Sequence, residues 1–254
     1  MDAVQLWGNV MKKAVELPLV HVDRTEFLSK ELAPYYDAAT IQAAIQGNLL
    51  AYVDRRVIDK IARGCISYQT TVVSSVSALA GIPGGWAMAA SIPADIAQFY
   101  CHVFILIQKL MYIYGWPSLS GDARQLSDEA LQKITLFVGM MMGCQAAEAA
   151  LNRGLKALAQ HVITEAGTQA LGRTALYEVA RKAAEYIGIK LSKDSFAKGI
   201  SKVIPLIGAP ISAGVTYFTY RPMAMKLKRF MDEQYAIQLS LMEEERPHDI
   251  VIQP

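Results

Sequence analysis

Apolar residues recur at helical spacing along almost the whole chain, and alternating, strand-like runs are scarce. The pattern predicts an all-α protein. A first amphipathic helix is expected near Val4 to Leu17, followed by a short charged connection from Pro18 to Pro34. Helical segments are expected from Ala39 to Tyr52 and from Val53 to Ala62, and as one long helix or two from Leu126 to Ala166. Ser127 is placed to cap that region, with Asp128 and Glu129 in its first turn, where carboxylates favour the positive end of the helix dipole. Thr168 to Ile187, Ser195 to Lys202 and Pro222 to Glu244 complete the helical set, with Gly188 as a stop for the helix before it.

The stretch Gly64 to Ala94 holds 31 residues without a formal charge. A bilayer core of about 30 Å needs about 20 apolar residues in a helix, so its length permits a crossing. Its content argues against a simple span. Gln69, Thr70, Thr71, Ser74, Ser75 and Ser77 dot the first half, and Gly81-Ile-Pro-Gly-Gly interrupts the middle. Two short helices around a Gly/Pro turn are expected instead, as a buried hairpin, a re-entrant element or an interfacial wedge. Ile96 to Gln108 continues uncharged after Asp95 and should end at Gly115, with Pro117 just beyond. Val203 to Tyr220 is a further 18 uncharged residues, interrupted by Pro205, Gly208, Pro210 and Gly214. Such segments serve as central helices of a large core, or as hairpins that insert when a membrane is present. With no internal repeat and no Pro- or Ser-rich linker, the simplest organisation is a single multi-helix domain. Residues 1–49 would form N-terminal helices and a connection, 50–232 the helical core, and 233–254 the end of the last helix and an acidic tail.

Composition narrows the class. Apolar residues make up 53% of the 254 and charged residues 19%, with a mean hydropathy of +0.22. That excludes a disordered chain, which lacks apolar surface to offset its ordering entropy. Cys65, Cys101 and Cys144 lie in apolar segments at neither paired nor metal-binding spacing, so a reducing compartment is expected. Lys12, Lys13 and Glu16 interrupt the first apolar segment, which reads as an amphipathic helix and not as a secretory signal.

The net charge of +2 hides an uneven distribution. Residues 151–230 carry 13 Lys and Arg against 4 Asp and Glu, whereas residues 231–254 carry 1 against 6. A basic block beside apolar surface suits anionic lipid headgroups, at roughly 1 kcal/mol per well-placed cation. Ordinary solvated helix faces also carry Lys. Nucleic acid is not expected as a partner, because no RNA-binding aromatic motif, zinc finger or basic zipper is present.

Candidate chemistry is sparse. Asp95, Gln98 and His102 share one helix face within an apolar segment, either as a polar handle for a ligand or as a satisfied seam between packed helices. Pro93 and Asp95 also suit an ordinary helix start. His161 and Glu165 stand four residues apart without a second pair, so no metal site is expected. Gly139, Gly143 and Ala147 form a small-residue row for close helix packing, within the chain or between two copies. Met140, Met141 and Met142, with Met111, Met223 and Met225, offer either core filling or an adaptable apolar lining. Tyr217, Phe218 and Tyr220 beside Arg221, Lys226, Lys228 and Arg229 combine aromatic rings and cations as a headgroup region favours, and are the candidate membrane contact. No phosphate loop, GxSxG, HExxH or CxxC motif occurs, so no catalytic residue, cofactor or metal is assigned.

The runs Gly81-Ile-Pro-Gly-Gly-Trp, Ile92-Pro-Ala-Asp-Ile and Tyr112-Ile-Tyr-Gly resemble the core pattern of the EcsC family, and Lys202-Val-Ile-Pro-Leu-Ile-Gly-Ala with the basic segment Arg221 to Arg229 resembles its C-terminal half. Together they span roughly residues 50 to 232. Pro210 departs from the family's small polar residue after the C-terminal Gly-Ala. The resemblance implies a helical fold and a bacterial cytoplasmic or inner-membrane-associated setting, and it transfers no catalytic residue. The expected function is that of a non-enzymatic protein at the cytoplasmic face of the membrane, peripheral or partly inserted. There it would meet anionic lipid and act as accessory to a transport or secretion system, this last point resting on the resemblance. The alternative is an enzyme or binding protein that holds a lipid-like molecule in an apolar cavity.

Overall fold

Helix starts follow short polar side chains that supply the acceptors missing from a helix's first turn. Asp2, Asp23, Asp37, Asn48 and Ser127 each accept a hydrogen bond from an amide two or three residues ahead. In the computed structural model, which describes residues 2–17, 20–80, 94–116, 127–160, 173–201 and 208–244, these starts belong to five of ten helices. The helices are α1 (Ala3–Val15), α2 (Arg24–Leu32), α3 (Ala38–Gln46), α4 (Leu49–Tyr52), α5 (Arg55–Ala80), α6 (Ala94–Ile113), α7 (Asp128–Met141), α8 (Gln145–Gln160), α9 (Arg173–Ser201) and α10 (Gly208–Glu244). No strand occurs among the described residues, and the fold is all-α.

Several boundaries differ from the sequence reading. The expected connection from Pro18 to Pro34 contains α2, whose inward Phe27, Leu28 and Leu32 are buried while the charged positions between them obscure the pattern. Gly47 and Asn48 divide the helix expected over 39–52. The helix expected to stop at Ala62 runs to Ala80, and the hydroxyls of its polar-dotted half stay within it. Thr70 and Thr71 donate to the carbonyls of Ile66 and Ser67 one turn back. The expected short first arm is therefore part of a 26-residue helix, while Gly81 to Gly85 lie outside the described residues. Pro222 lies inside α10, which begins at Gly208 with Pro210 in its first turn, where the missing amide costs nothing.

Gly188 does not stop a helix either. It lies inside α9 because α1 crosses there, and a Cβ at this position would fall 2.0 Å from the carbonyl oxygen of Ala3. True stops occur at Gly115 and Gly143, with φ of 79° and 94°. At the first, Trp116 and Gly115 amides bond back to Met111 and Tyr112. At the second, Cys144 and Gly143 bond back to Gly139 and Met140. Both are left-handed closures that satisfy the last carbonyls of α6 and α7.

α6 is the central element. Val103, Phe104, Leu106, Ile107, Leu110, Tyr112 and Ile113 are all buried. Its segment Ile96–Ile113 is long and apolar enough to cross a membrane, yet 78% of it is buried within the protein. Part of the cover comes from α1, whose fully buried Trp7 meets Tyr100 edge-on at 5.0 Å and donates its indole N–H to Thr135 at 3.1 Å. Gln108, without exposed surface, donates to the carbonyl of Val20 and accepts from the amide of Val22, fixing the chain beyond α1.

Two bonds set the direction of α10. The Tyr220 hydroxyl donates to the carbonyl of His102, and the Tyr114 hydroxyl donates to Asp232 at 2.6 Å. Each pair is 118 residues apart, so α6 and α10 run parallel in constant register. α5 runs antiparallel to both. Its Asp59 meets Lys228, its Arg55 lies over the Tyr235 ring, and its Gln69 meets His102. The end of α5 at Ala80, the start of α6 at Ala94 and the start of α10 at Gly208 consequently lie together.

Replacing a mid-helix glycine by alanine ordinarily stabilises by about 0.5–1 kcal/mol. Gly188→Ala is expected to do the opposite, lowering stability by about 1–3 kcal/mol because α1 must shift. Urea denaturation measures it, and a raised midpoint would show that the Ala3 backbone does not bear on α9.

Candidate functional site

Between α5, α6 and α10 a polar junction forms around His102. Its ring Nδ1 lies 2.8 Å from Oε1 of Gln69, and its carbonyl holds the Tyr220 hydroxyl. An amide oxygen only accepts, so neutral His102 carries its proton on Nδ1. Burial, then the Lys109 charge, lowers the pKa of His102. Burial also raises the Tyr220 hydroxyl well above its ordinary value, with Cys101 and Cys65 as nearby secondary contributors. The junction is neutral and satisfied, which is what an apolar seam between helices requires.

Farther along lies a charged layer. Lys228, its side chain 3% exposed, places its ammonium 2.5 Å from Asp59 and 2.8 Å from Asp232. Arg63 bonds the other oxygen of Asp59 at 2.7 Å, and the hydrogen bonds from Arg63 and Lys228 hold the Asp59 carboxyl below its usual range. Lys226 pairs with Glu148 of α8 at 2.8 Å. An open depression of about 430 Å³ beside this layer is lined by Asp54, Arg55, Arg56 and Asp59.

The opposite part of α10 presents apolar surface. Phe218 is 76% exposed, more than any other large hydrophobic side chain among the described residues. It stacks edge-on against Tyr217 at 5.6 Å, and the guanidinium of Arg221 lies over the Tyr217 ring and bonds its hydroxyl. Across the seam, the exposed residues of α5 between Gly64 and Ser75 are Gly64, Ser67, Tyr68, Thr71 and Ser75, none of them charged. The described uncharged parts of α5, 64–80, and of α10, 208–220, thus lie toward the end that carries this aromatic and cationic group.

Of the candidate membrane-contact residues, Phe218, Arg221 and Arg229 are exposed and Tyr217 is half-buried. Tyr220 and Lys228 are corrections: both are buried, one as the α6 hydrogen-bond donor and the other as the cation between two carboxylates. Lys226 is half-buried by its pairing with Glu148. The expected row of Asp95, Gln98 and His102 is not a shared site for His102, whose partner Gln69 comes from another helix. Gln98 is half-buried, and the Asp95 side chain lies outside the description. Gly139 does pack closely, since a Cβ there would lie 3.1 Å from Ala147 and 3.1 Å from Ala183, both of this chain. Gly143 does not share that face, because it has left α7 in a left-handed turn. Met111, Met140, Met141 and Met223 are buried in the core.

Cys65, Cys101 and Cys144 are free and buried, and burial pushes the thiols of Cys65 and Cys101 up to about 12 and about 11. Among the described residues no group of three His, Cys, Asp or Glu converges as metal ligands. His161 and Glu165 lie outside them. The charged layer was not anticipated from the sequence. Its signals were the i,i+4 pairs Asp59 with Arg63 and Lys228 with Asp232, a spacing that ordinary solvated helix faces share.

No family model matches the chain, and neither a curated protein nor a solved structure does.

A histidine whose folded pKa is lowered refuses a proton that the unfolded chain accepts, so stability falls as the pH drops below about 6.5. His102→Gln can keep a donor toward Gln69 while removing the titration. Thermal midpoints between about pH 8 and 5 should therefore decline more steeply for the wild type than for His102→Gln. Parallel curves would refute the assignment.

Proposed function

We propose that this is a non-enzymatic helical protein that associates with an anionic membrane surface through the end of the α5, α6 and α10 group. One observation carries the reading: antiparallel α5 and parallel α10 bring their uncharged residues, 64–80 and 208–220, toward one end, where Phe218 is 76% exposed beside Tyr217 and Arg221. Aromatic rings flanked by cations suit the headgroup region, and uncharged helix surface beside them costs little to remove from water. The buried state of Ile96–Ile113 supports peripheral contact or limited insertion over a full crossing by α6.

Reduced, buried cysteines favour the cytoplasmic side. The resemblance to the EcsC family adds the bacterial inner membrane as the setting, and it alone supports an accessory role toward a transport or secretion system. The second reading, a lipid-like ligand held by Asp95, Gln98 and His102, is disfavoured because the His102 ring is occupied by Gln69 in a satisfied seam.

Flotation with phosphatidylcholine vesicles, with and without phosphatidylglycerol, tests the reading. Binding is expected with acidic lipid and should weaken as salt rises. Phe218→Ser combined with Arg221→Glu should reduce binding at least about tenfold, from the lost apolar transfer and the reversed charge. Both residues are exposed, so circular dichroism and melting should be unchanged. Absence of flotation at low salt, or equal binding by the folded double variant, would overturn the reading.

A further inference from the structure

The exposed positions of α5 form one stripe. Lys60, Gly64, Ser67, Thr71 and Ser75 recur three or four residues apart and are all exposed, while Ile58, Ala62, Ile66 and Gln69 on the other side are buried. From Gly64 to Ser75 the stripe carries no charge, and a Cβ at Gly64 would meet nothing within 4 Å.

An aromatic ring beside a cation stands at each edge. At one edge Tyr68, 63% exposed, lies 5.9 Å from the ammonium of Lys109 of α6, which also stands over Phe27 of α2. Arg63 marks the α10 edge, because it bonds Asp59, which pairs with Lys228. At about 100° per residue, Arg63 and Tyr68 stand about 140° apart around α5, with Ser67 and Thr71 between them. Across the α10 edge lie Tyr217, Phe218 and Arg221. Phe218 and the buried Leu227 are nine residues apart, about half a turn around α10, so Phe218 faces away from the core as the α5 stripe does. Continuing the antiparallel register set by Asp59 with Lys228 and Arg55 with Tyr235 puts Tyr68 opposite residues 219–222, about one helical turn from Phe218. These two rings are the most exposed large hydrophobic side chains among the described residues.

Lys60, Lys109 and Arg221 are held against aromatic rings and pair with no carboxylate among the described residues. The carboxylates bordering the stripe are Asp59, paired with two cations, and Glu31, half-buried near Cys65. The face is therefore positive at its edges and uncharged along its ridge. An anionic bilayer surface complements that pattern, since the rings suit the interfacial level and the cations the phosphates. We infer that the outer face of α5, between Tyr68 and Phe218, lies against anionic phospholipid headgroups, with Lys109 and Arg221 at the phosphates. The inference rests on the membrane reading above and deepens it, adding Tyr68 and Lys109 as a second foothold that fixes which side of the α5 and α10 pair meets lipid.

Flotation of the full-length wild type with phosphatidylglycerol vesicles is scored first. Tyr68→Ser and Phe218→Ser should each weaken binding about five- to tenfold, and Tyr68→Trp should bind at least as well as the wild type. Tyr177→Ser, at a ring of α9 that is 58% exposed, should change binding less than about twofold. All four substitutions are at exposed positions, so circular dichroism and melting should be unchanged. The buried native cysteines leave an introduced exposed cysteine as the reactive thiol. An environment-sensitive fluorophore on Ser67→Cys should shift to the blue on vesicle binding, and one on Ser240→Cys should not.

Weakened binding by Phe218→Ser with full binding by Tyr68→Ser, or a blue shift at 240 and none at 67, would overturn this inference and leave the membrane reading standing. Binding to soluble polyglutamate that Tyr68→Ser weakens, without flotation, would assign the face to an acidic protein and overturn both. Absence of wild-type flotation under every condition removes the membrane reading and this inference with it.

Discussion

A helix as apolar as α6 cannot be left to water, and the rest of the structure is arranged around covering it. From Val103 to Ile113 every side chain of α6 except Lys109 is buried, and the covering elements come from the start, middle and end of the chain. α1 contributes Trp7, α5 contributes Ile58, Ile61 and Ile66, and α10 contributes Tyr220, Leu227 and Met231, all buried. At about 1.5–3 kcal/mol per large apolar side chain removed from water, this burial is the dominant favourable term available to the fold. It explains why a segment long enough to cross a bilayer is used as a core.

Covering α6 raises a second requirement, that its polar atoms find partners. Gln108 uses its amide to hold Val20 and Val22, and His102 takes Gln69 at its ring and Tyr220 at its carbonyl. An unpaired group at either position would cost about 1–3 kcal/mol, so these bonds discriminate among helix registers more than they add net stability. Tyr114 and Lys228 perform the same selection nearer the end of α6, through Asp232 and Asp59. Buried ion pairs contribute little net energy once desolvation is counted. Removing one member would leave the others uncompensated, which makes the parallel register of α6 and α10 hard to slip.

The division of polarity along the helices follows from that register. Along α5 and α10 the ion pairs of Asp59, Arg63, Lys228 and Asp232 lie on one side of the His102 junction, and the uncharged residues 64–80 and 208–220 begin on the other. Phe218 and Tyr217 then stand exposed at a border between the two, with Arg221 folded over a ring and not paired to a carboxylate in the interactions described. The most apolar helix is thus an internal post of the fold, although its length and composition would suffice for a span.

The all-α class, the caps at Ser127 and the stop at Gly115 were legible because local rules decide them: a hydroxyl that reaches an amide, and a glycine that tolerates positive φ. The high apolar content was legible for a simpler reason, since it depends on residue kinds and not on neighbours. Partner identity was not. Gly188 reads as a stop, yet it admits the backbone of Ala3 from the far end of the chain. Lys228 reads as a membrane-contact cation and is an interior one, because two carboxylates from α5 and α10 close on it. Tyr220 reads as a membrane aromatic and is buried against α6. Periodicity states which face of a helix turns inward, but not which helix it meets. That choice rests on packing and hydrogen bonding between residues as much as 118 positions apart, which only the folded chain brings together.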